Sequence, residues 1–477
     1  MSFRLGPARS PAVAAEAMVA TSQPAATRAG LRMLERGGNA VDAALAAAAV
    51  LCVTEPMSTG LGGDAFALVW DGERLHGLDA AGPAPARASP TVPIESSGPR
   101  SVTVPGAVRG WAVLAERFGT LGLDALLADA IAAAEQGFAV GRVTADAWRR
   151  LDAPPELGPP RRLGERVRLP ELGRTLRRIA EEGADVLYEG GIASRIAEAT
   201  WLEEDDLAAY RPAWVTPLTA DYRGVTVCEL PPPTQGVAAL EGLALLALGE
   251  PSLTDQVECV RLALEDARAR VRDGADVSDL LAHEFLVARR ASGPARTGEP
   301  AGGTVYLCVV DGDGLAVSLI QSLYEGFGSG VVAAGTEIVL QNRGAGFALS
   351  GAVEPGRRPY HTIIPGLLVR DGALLGPFGV MGGFMQAQGH VQVVSALVDE
   401  ALDPQAALDR SRFRVQGGEV LLEEGLWSRA AEIDSLGLRA VRSADARLFG
   451  GGQAIVVEGG VLLGGSDGRK DGYAAGL

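Results

Sequence analysis

Two apolar, β-branched runs, TVYLCVV at residues 304–310 and LAVSLIQSL at residues 315–323, flank Asp311-Gly312-Asp313-Gly314. Such runs joined by Asp-Gly pairs predict a β-hairpin. With Val310 facing Leu315 across the turn, the register sets Thr304 opposite about Gln321 and beside Ser322. A hydroxyl at the start of one strand then meets a second hydroxyl near the end of its partner. Upstream, ASGPARTGEPAGG at residues 291–303 is rich in Gly and Pro with nothing apolar enough to pack, and predicts a mobile linker or a cleavable loop.

Elsewhere the chain alternates helical and strand patterns. Residues 25–36 read as a helix stopped by Gly37-Gly38, and Asn39 as the N-cap of an alanine-rich helix reaching Cys52, with Asp42 in its first turn. That second helix is apolar almost all round, which predicts burial on most sides. STGLGGDAF and the strand ALVWDG follow. A phosphate-loop reading of these glycines fails, because the Lys-Ser/Thr is missing and the order is loop to strand. A helix from about Pro105-Gly106 opens a mainly helical middle to about Ala199, interrupted by APPELGPP. After Asp221 come a short strand, YRGVTVCEL, the turn PPPTQG and an apolar helix. RRPYHTIIPGLLV leads into a further strand, and GPFGVMGGFMQAQGHVQVVSALV reads as strand, glycine turn and helix.

Composition narrows the chemistry. The 43 Lys+Arg against 59 Asp+Glu give a net charge of −16, which argues against nucleic acid or an anionic membrane as partner. At 477 residues the length suggests about three domains, and 47% hydrophobic with 21% charged residues is a globular balance. The four cysteines are scattered in apolar runs, which predicts buried free thiols, and the four histidines show no metal-site pairing. No metal or cofactor is expected. No signal peptide is evident, and the longest apolar run, residues 43–53, is about half of what a spanning helix needs. A soluble, cytoplasmic protein is therefore expected.

Thr304 follows Gly302-Gly303, begins a strand and ends the linker, the local conditions for a cut that makes it a new amino terminus. A free α-amine titrates at about 7.7–8.0 and can serve as general base for its own hydroxyl, so scarce histidine is no obstacle. By itself, a Gly-Thr at a strand start is ordinarily a β-favouring residue after a turn.

A set of long co-linear segments adds weight: GGNAVDAALAAAAVLCVTEPMSTGLGGDAFALVWDG, SVTVPGAVRGWAVLAERFG, LAAYRPAWVTPLTADYRGVTVCELPPPTQG, GGTVYLCVVDGDGLAVSLIQS, RRPYHTIIP and GVMGGFMQAQGHVQ. Together, from about residue 15 to residue 398, they resemble the γ-glutamyltransferase family of N-terminal-nucleophile hydrolases. The resemblance implies an α+β fold, an αββα four-layer sandwich, and an inactive precursor that cleaves itself between Gly303 and Thr304. The two pieces, residues 1–303 and 304–477, would stay associated as one structural domain. It further implies Thr304 as nucleophile, Ser322 as the supporting hydroxyl, and Gly382 and Gly383 as the oxyanion-hole pair; without the family, the glycines read equally as a tight turn. Thr362 matches the second of the family's paired serines and His361 replaces the first. As a plain residue, His361 reads as a histidine hydrogen-bonded at a strand edge.

The departures bear on substrate. Where γ-glutamyl enzymes place a carboxylate-binding arginine, this chain has Ala81-Gly82-Pro83-Ala84-Pro85. Where they hold the α-amine with an aspartate and an asparagine, it has Gly346 and Tyr324. Arg343, in QNRGAGF, is a candidate replacement cation for an anionic substrate, against the plainer reading of an exposed loop arginine. Residues 347–359 are too few for the lid loop some members carry, which implies a site open to bulkier acyl groups. The expected function is a self-processing threonine amidohydrolase or acyltransferase acting on a small-molecule amide, with altered acyl specificity. The alternatives are a true γ-glutamyltransferase or glutathione hydrolase, and a non-catalytic, unprocessed binding homologue.

Overall fold

Side-chain alternation along the hairpin sorts its residues between two cores. Val305, Leu307, Val309, Val317 and Leu319 pack against helices. Tyr306, Cys308, Val310, Ala316 and Ile320 pack against a second sheet. Both faces are apolar, so the hairpin lies inside the molecule, as strands with near-continuous hydrophobic runs do. The computed structural model describes residues 9–293 and 303–477.

The first sheet has seven strands in the order Tyr473–Gly476, Met18–Thr21, Gly303–Val310, Ala316–Tyr324, Asp64–Trp70, Leu75–Ala80 and Ala213–Val215. The second also has seven: Ala12–Ala14, Val461–Ser466, Gly451–Glu458, Ala373–Met381, Gly366–Arg370, Val225–Glu229 and Leu218–Tyr222. Every neighbouring pair in both is antiparallel. Each sheet contains strands from both before and after residue 303. Gly379 permits the sheets to meet, since a Cβ there would stand 2.5 Å from the Tyr306 ring.

Helices Pro24–Glu35, Ala40–Thr54, Leu123–Gln136 and Pro170–Glu182 contribute to the cover on the outside of the first sheet. Helices Gly236–Ala247, Leu253–Arg270 and Met385–Val398 cover the second. The result is the αββα four-layer sandwich. Every residue of Ala40–Thr54 is buried, as its uniform apolarity predicts. Asn39 caps it, its side chain accepting from the N–H groups of Val41 and Asp42 while Asp42 accepts from the Asn39 N–H at 3.0 Å. Asn39→Ala is expected to cost about 1–2 kcal/mol, read as a lower urea midpoint at unchanged m value. All four cysteines are buried free thiols, and burial pushes Cys52 up to about 12. Among the described residues no helix is long and apolar enough to cross a membrane.

Three local expectations need correction. Val310 pairs with Ala316, not Leu315, because the Asp311 carboxylate draws in the N–H groups of Asp313, Leu315 and Ala40 and lengthens the turn. Val305, not Thr304, then faces Gln321, and the register shifts between Gly303 and Val305, leaving Thr304 at the irregularity. The stretch YRGVTVCEL spans a hairpin rather than one strand, turning at Arg223 and Gly224, both at positive φ. Of the expected linker, residues 291 and 292 end the helix His283–Ser292 and Gly303 begins a strand; residues 294–302 lie outside the described residues.

Candidate active site

The displaced register brings two hydroxyls to one carbonyl. Thr304 Oγ1 donates to the Gly303 oxygen at 2.7 Å and Ser322 Oγ donates to the same oxygen at 2.8 Å. The hydroxyls lie 3.4 Å apart, and Ser322 Oγ also accepts from the Tyr324 N–H at 2.8 Å. The carbonyl they share belongs to the Gly303-Thr304 peptide. Hydroxyl donors on its oxygen draw electron density from its carbon, which is the polarisation that nucleophilic attack requires.

The glycine turn approaches from the second sheet. Gly382 and Gly383 follow the strand Ala373–Met381 at φ +123° and +63°, backbone that glycine alone adopts freely. A Cβ on Gly382 would stand 3.1 Å from Gly450 Cα. The helix Met385–Val398 begins at once and delivers buried Gln386, whose Nε2 lies 3.3 Å from Thr304 Oγ1 and whose Oε1 accepts from the Ile364 N–H at 3.0 Å. Gln235, from the turn PPPTQG, donates to the carbonyls of Thr362 at 2.7 Å and Gly383 at 3.2 Å and accepts from the Tyr360 hydroxyl. It ties Thr362 to the glycine turn.

On the opposite side stand Asp64, His361, Arg343 and Tyr324. Asp64 pairs with Ser322 across neighbouring strands. His361 is fully buried, its Nδ1 donating to the Pro359 carbonyl at 2.7 Å and its Nε2 facing Asp64 Oδ2 at 3.2 Å. Burial, then the Arg343 charge, lowers its pKa below the ordinary imidazole value, with Asp64 opposing. A backbone bridge to Thr234 agrees with the plain reading of this histidine as hydrogen-bonded at a strand edge. Arg343 is not exposed: it is fully buried, its guanidinium 4.4 Å from the Tyr324 ring and its Nε 3.9 Å from Asp64 Oδ2. Tyr324 itself sits at φ +80°, a strained conformation for an aromatic residue, of the kind that collects at functional sites. Gly346 packs on the Tyr360 carbonyl, and offers no side chain.

All of the residues singled out in the sequence therefore fall in one connected region. Sequence reasoning missed Asp64, Gln235 and Gln386. The available signal was a lone polar side chain beside glycines, in GGDAF, PTQG and GGFMQ.

Comparison with known proteins follows the same outline. A family profile described as Gamma-glutamyltranspeptidase matches residues 26–477. The chain is 33% identical to the glutathione hydrolase-like YwrD proenzyme of Bacillus subtilis, over 96% of this chain and 98% of that protein. It is also 33% identical to the oxamate amidohydrolase proenzyme of Klebsiella pneumoniae, over 97% and 99%. The crystal structure of cephalosporin acylase from Bacillus halodurans superposes with a TM-score of 0.93 at 40% identity, covering 100% of this chain and 98% of that one. With its four layers and its match over nearly the whole length, the chain belongs to the gamma-glutamyltranspeptidase family.

Proposed function

We propose that this family member is a self-processing amide hydrolase or acyltransferase whose nucleophile is Thr304. The observation that carries the reading is the convergence of the Thr304 and Ser322 hydroxyls on the Gly303 carbonyl. In the first reaction Thr304 Oγ adds to the Gly303 carbonyl carbon and the C–N bond breaks as the nitrogen gains a proton. The resulting ester is hydrolysed by water, giving residues 1–303 and 304–477. Relatives named as proenzymes support this step.

Cleavage frees the α-amine of Thr304, which takes the proton of its own hydroxyl as that oxygen attacks a substrate amide. The substrate's acyl half then lies on the side of Thr304 that Gly303 occupied, since the same hydroxyl attacks both carbonyl carbons, while the two carbonyl oxygens meet different donors. Gly382 and Gly383 supply N–H groups to the oxyanion, Ser322 supports the nucleophile, and Tyr324, His361 and Thr362 wall the acyl site. The leaving amine takes the proton from the Thr304 ammonium. Water or a second amine then releases the acyl group from the ester. Relatives named as an amidohydrolase and an acylase support the reaction class.

Intact mass spectrometry of the purified protein is expected to find two species matching residues 1–303 and 304–477, with terminal sequencing of the second starting at Thr304. A single uncleaved chain after prolonged incubation, inactive on any amide, would sink the proposal.

A further inference from the structure

We propose that Arg343 is a carboxylate clamp for the acyl half of the substrate, so that the preferred amides derive from acids with a second carboxylate and no α-ammonium group. This rests on Thr304 as the nucleophile and adds the substrate class.

The guanidinium is fully buried, and none of its three nitrogens has a hydrogen-bond partner among the described residues. The fold does not treat its other buried arginines this way. Arg109 is taken up by Asp185 and by the carbonyls of Leu207, Ala208 and Tyr210. Arg412 reaches Phe449, Leu408 and Asp467 and lacks a partner only at Nε. A buried cation with an empty hydrogen-bonding fork is costly unless something completes it.

The neighbours are committed elsewhere. Gln341 Oε1 takes the backbone N–H of Arg343, and its Nε2 goes to Thr103. Asn342 bonds Glu325 and the Ser96 carbonyl. Asp64 Oδ1 accepts from the Gly82 N–H and its Oδ2 faces His361, leaving Arg343 Nε at 3.9 Å, beyond hydrogen-bonding distance. Among the described residues nothing completes the fork, which leaves it open to an acceptor carried by a substrate. A carboxylate matches the planar fork with two parallel bonds.

Position assigns that carboxylate to the acyl half. Arg343 lies on the ring of Tyr324, and Tyr324 is the strand partner of Gly303, the acyl side of the Gly303-Thr304 bond. A substrate ammonium at this place would face the guanidinium, whose charge the nearby carboxylates Asp64 and Glu325 already offset.

The test uses processed wild-type protein and monoanilides of oxalic, succinic and glutaric acid, each against its methyl ester, with γ-glutamyl anilide as a third arm. At least one free acid is expected to exceed its ester by about 100-fold in kcat/KM, and Arg343→Gln to reduce that ratio to a few-fold. Calorimetry with the corresponding diacid should give binding that the variant weakens by about 100-fold. Equal turnover of acids and esters, faster turnover of the γ-glutamyl anilide, or an unchanged ratio in the variant would overturn the clamp and leave the Thr304 reading intact. If the variant does not fold, the wild-type ratio and diacid binding still decide. Absence of both fragments and turnover would instead remove the Thr304 reading, and the clamp with it.

Discussion

Thr304→Ala is expected to remain a single chain of 477 residues and to lose amide turnover by at least about 10³-fold. The variant deletes the hydroxyl that sits 2.7 Å from the Gly303 oxygen while sparing the strand around it, which is held by its pairing with Met18–Thr21 and Ala316–Tyr324. Ser322 does not substitute. Both hydroxyls donate to the Gly303 oxygen, but only that of Thr304 belongs to the residue whose nitrogen is released, so it closes on the carbonyl carbon through a small ring while Ser322 polarises the bond from the partner strand. Thr304→Ser keeps a nucleophile without the γ-methyl and is expected to cleave, more slowly. A denaturing gel over time reads both variants, with circular dichroism to establish that they fold. Two fragments from Thr304→Ala would show that another group makes the cut.

Ser322→Ala and Gly382→Ala are expected to fail at different steps. The oxygen of the peptide to be cut is held by Ser322 Oγ at 2.8 Å, so losing that donor should slow fragment formation by about 10²-fold, the usual effect of removing one oxyanion donor. Gly382 acts on the substrate's oxyanion instead. Its φ of +123° is closed to alanine without strain, and the added Cβ would press on Gly450, so the turn must shift and its N–H groups lose their aim. A fall of about 10²–10³-fold in kcat is expected, with a smaller effect on cleavage. Rates of fragment appearance and of turnover by processed protein, measured on both variants, separate the two roles. Equal losses at both steps in both variants would abolish the division.

Much of this was legible in the sequence because it depends on local pattern. The hairpin, the buried alanine helix with its Asn39 cap and the strand, Gly382-Gly383 turn and helix all follow from periodicity and turn chemistry. The register was missed by one residue because it depends on Asp311, whose carboxylate bonds the backbone of Ala40 from a distant part of the chain. Gln235 and Gln386 were missed for a similar reason. Each sits beside glycines at the start of an apolar helix, and its importance lies in partners such as Thr362, Gly383 and Thr304 that come together only in the fold. Arg343 shows the limit from the other side: QNRGAGF looks like a loop, and nothing in a loop's composition reveals that its arginine is buried.

The mixing of early and late strands within both sheets has a consequence for the life of the protein after the cut. An intact chain reaches this topology in a unimolecular reaction, its distant strands kept at high effective concentration by the covalent thread. Once severed at residue 303, the halves could separate only by dismantling both sheets, and could re-form them only by finding each other in solution. Persistence would then rest on the height of the unfolding barrier rather than on a reversible equilibrium. Self-cleavage would act as a ratchet, removing the route by which the assembly was made.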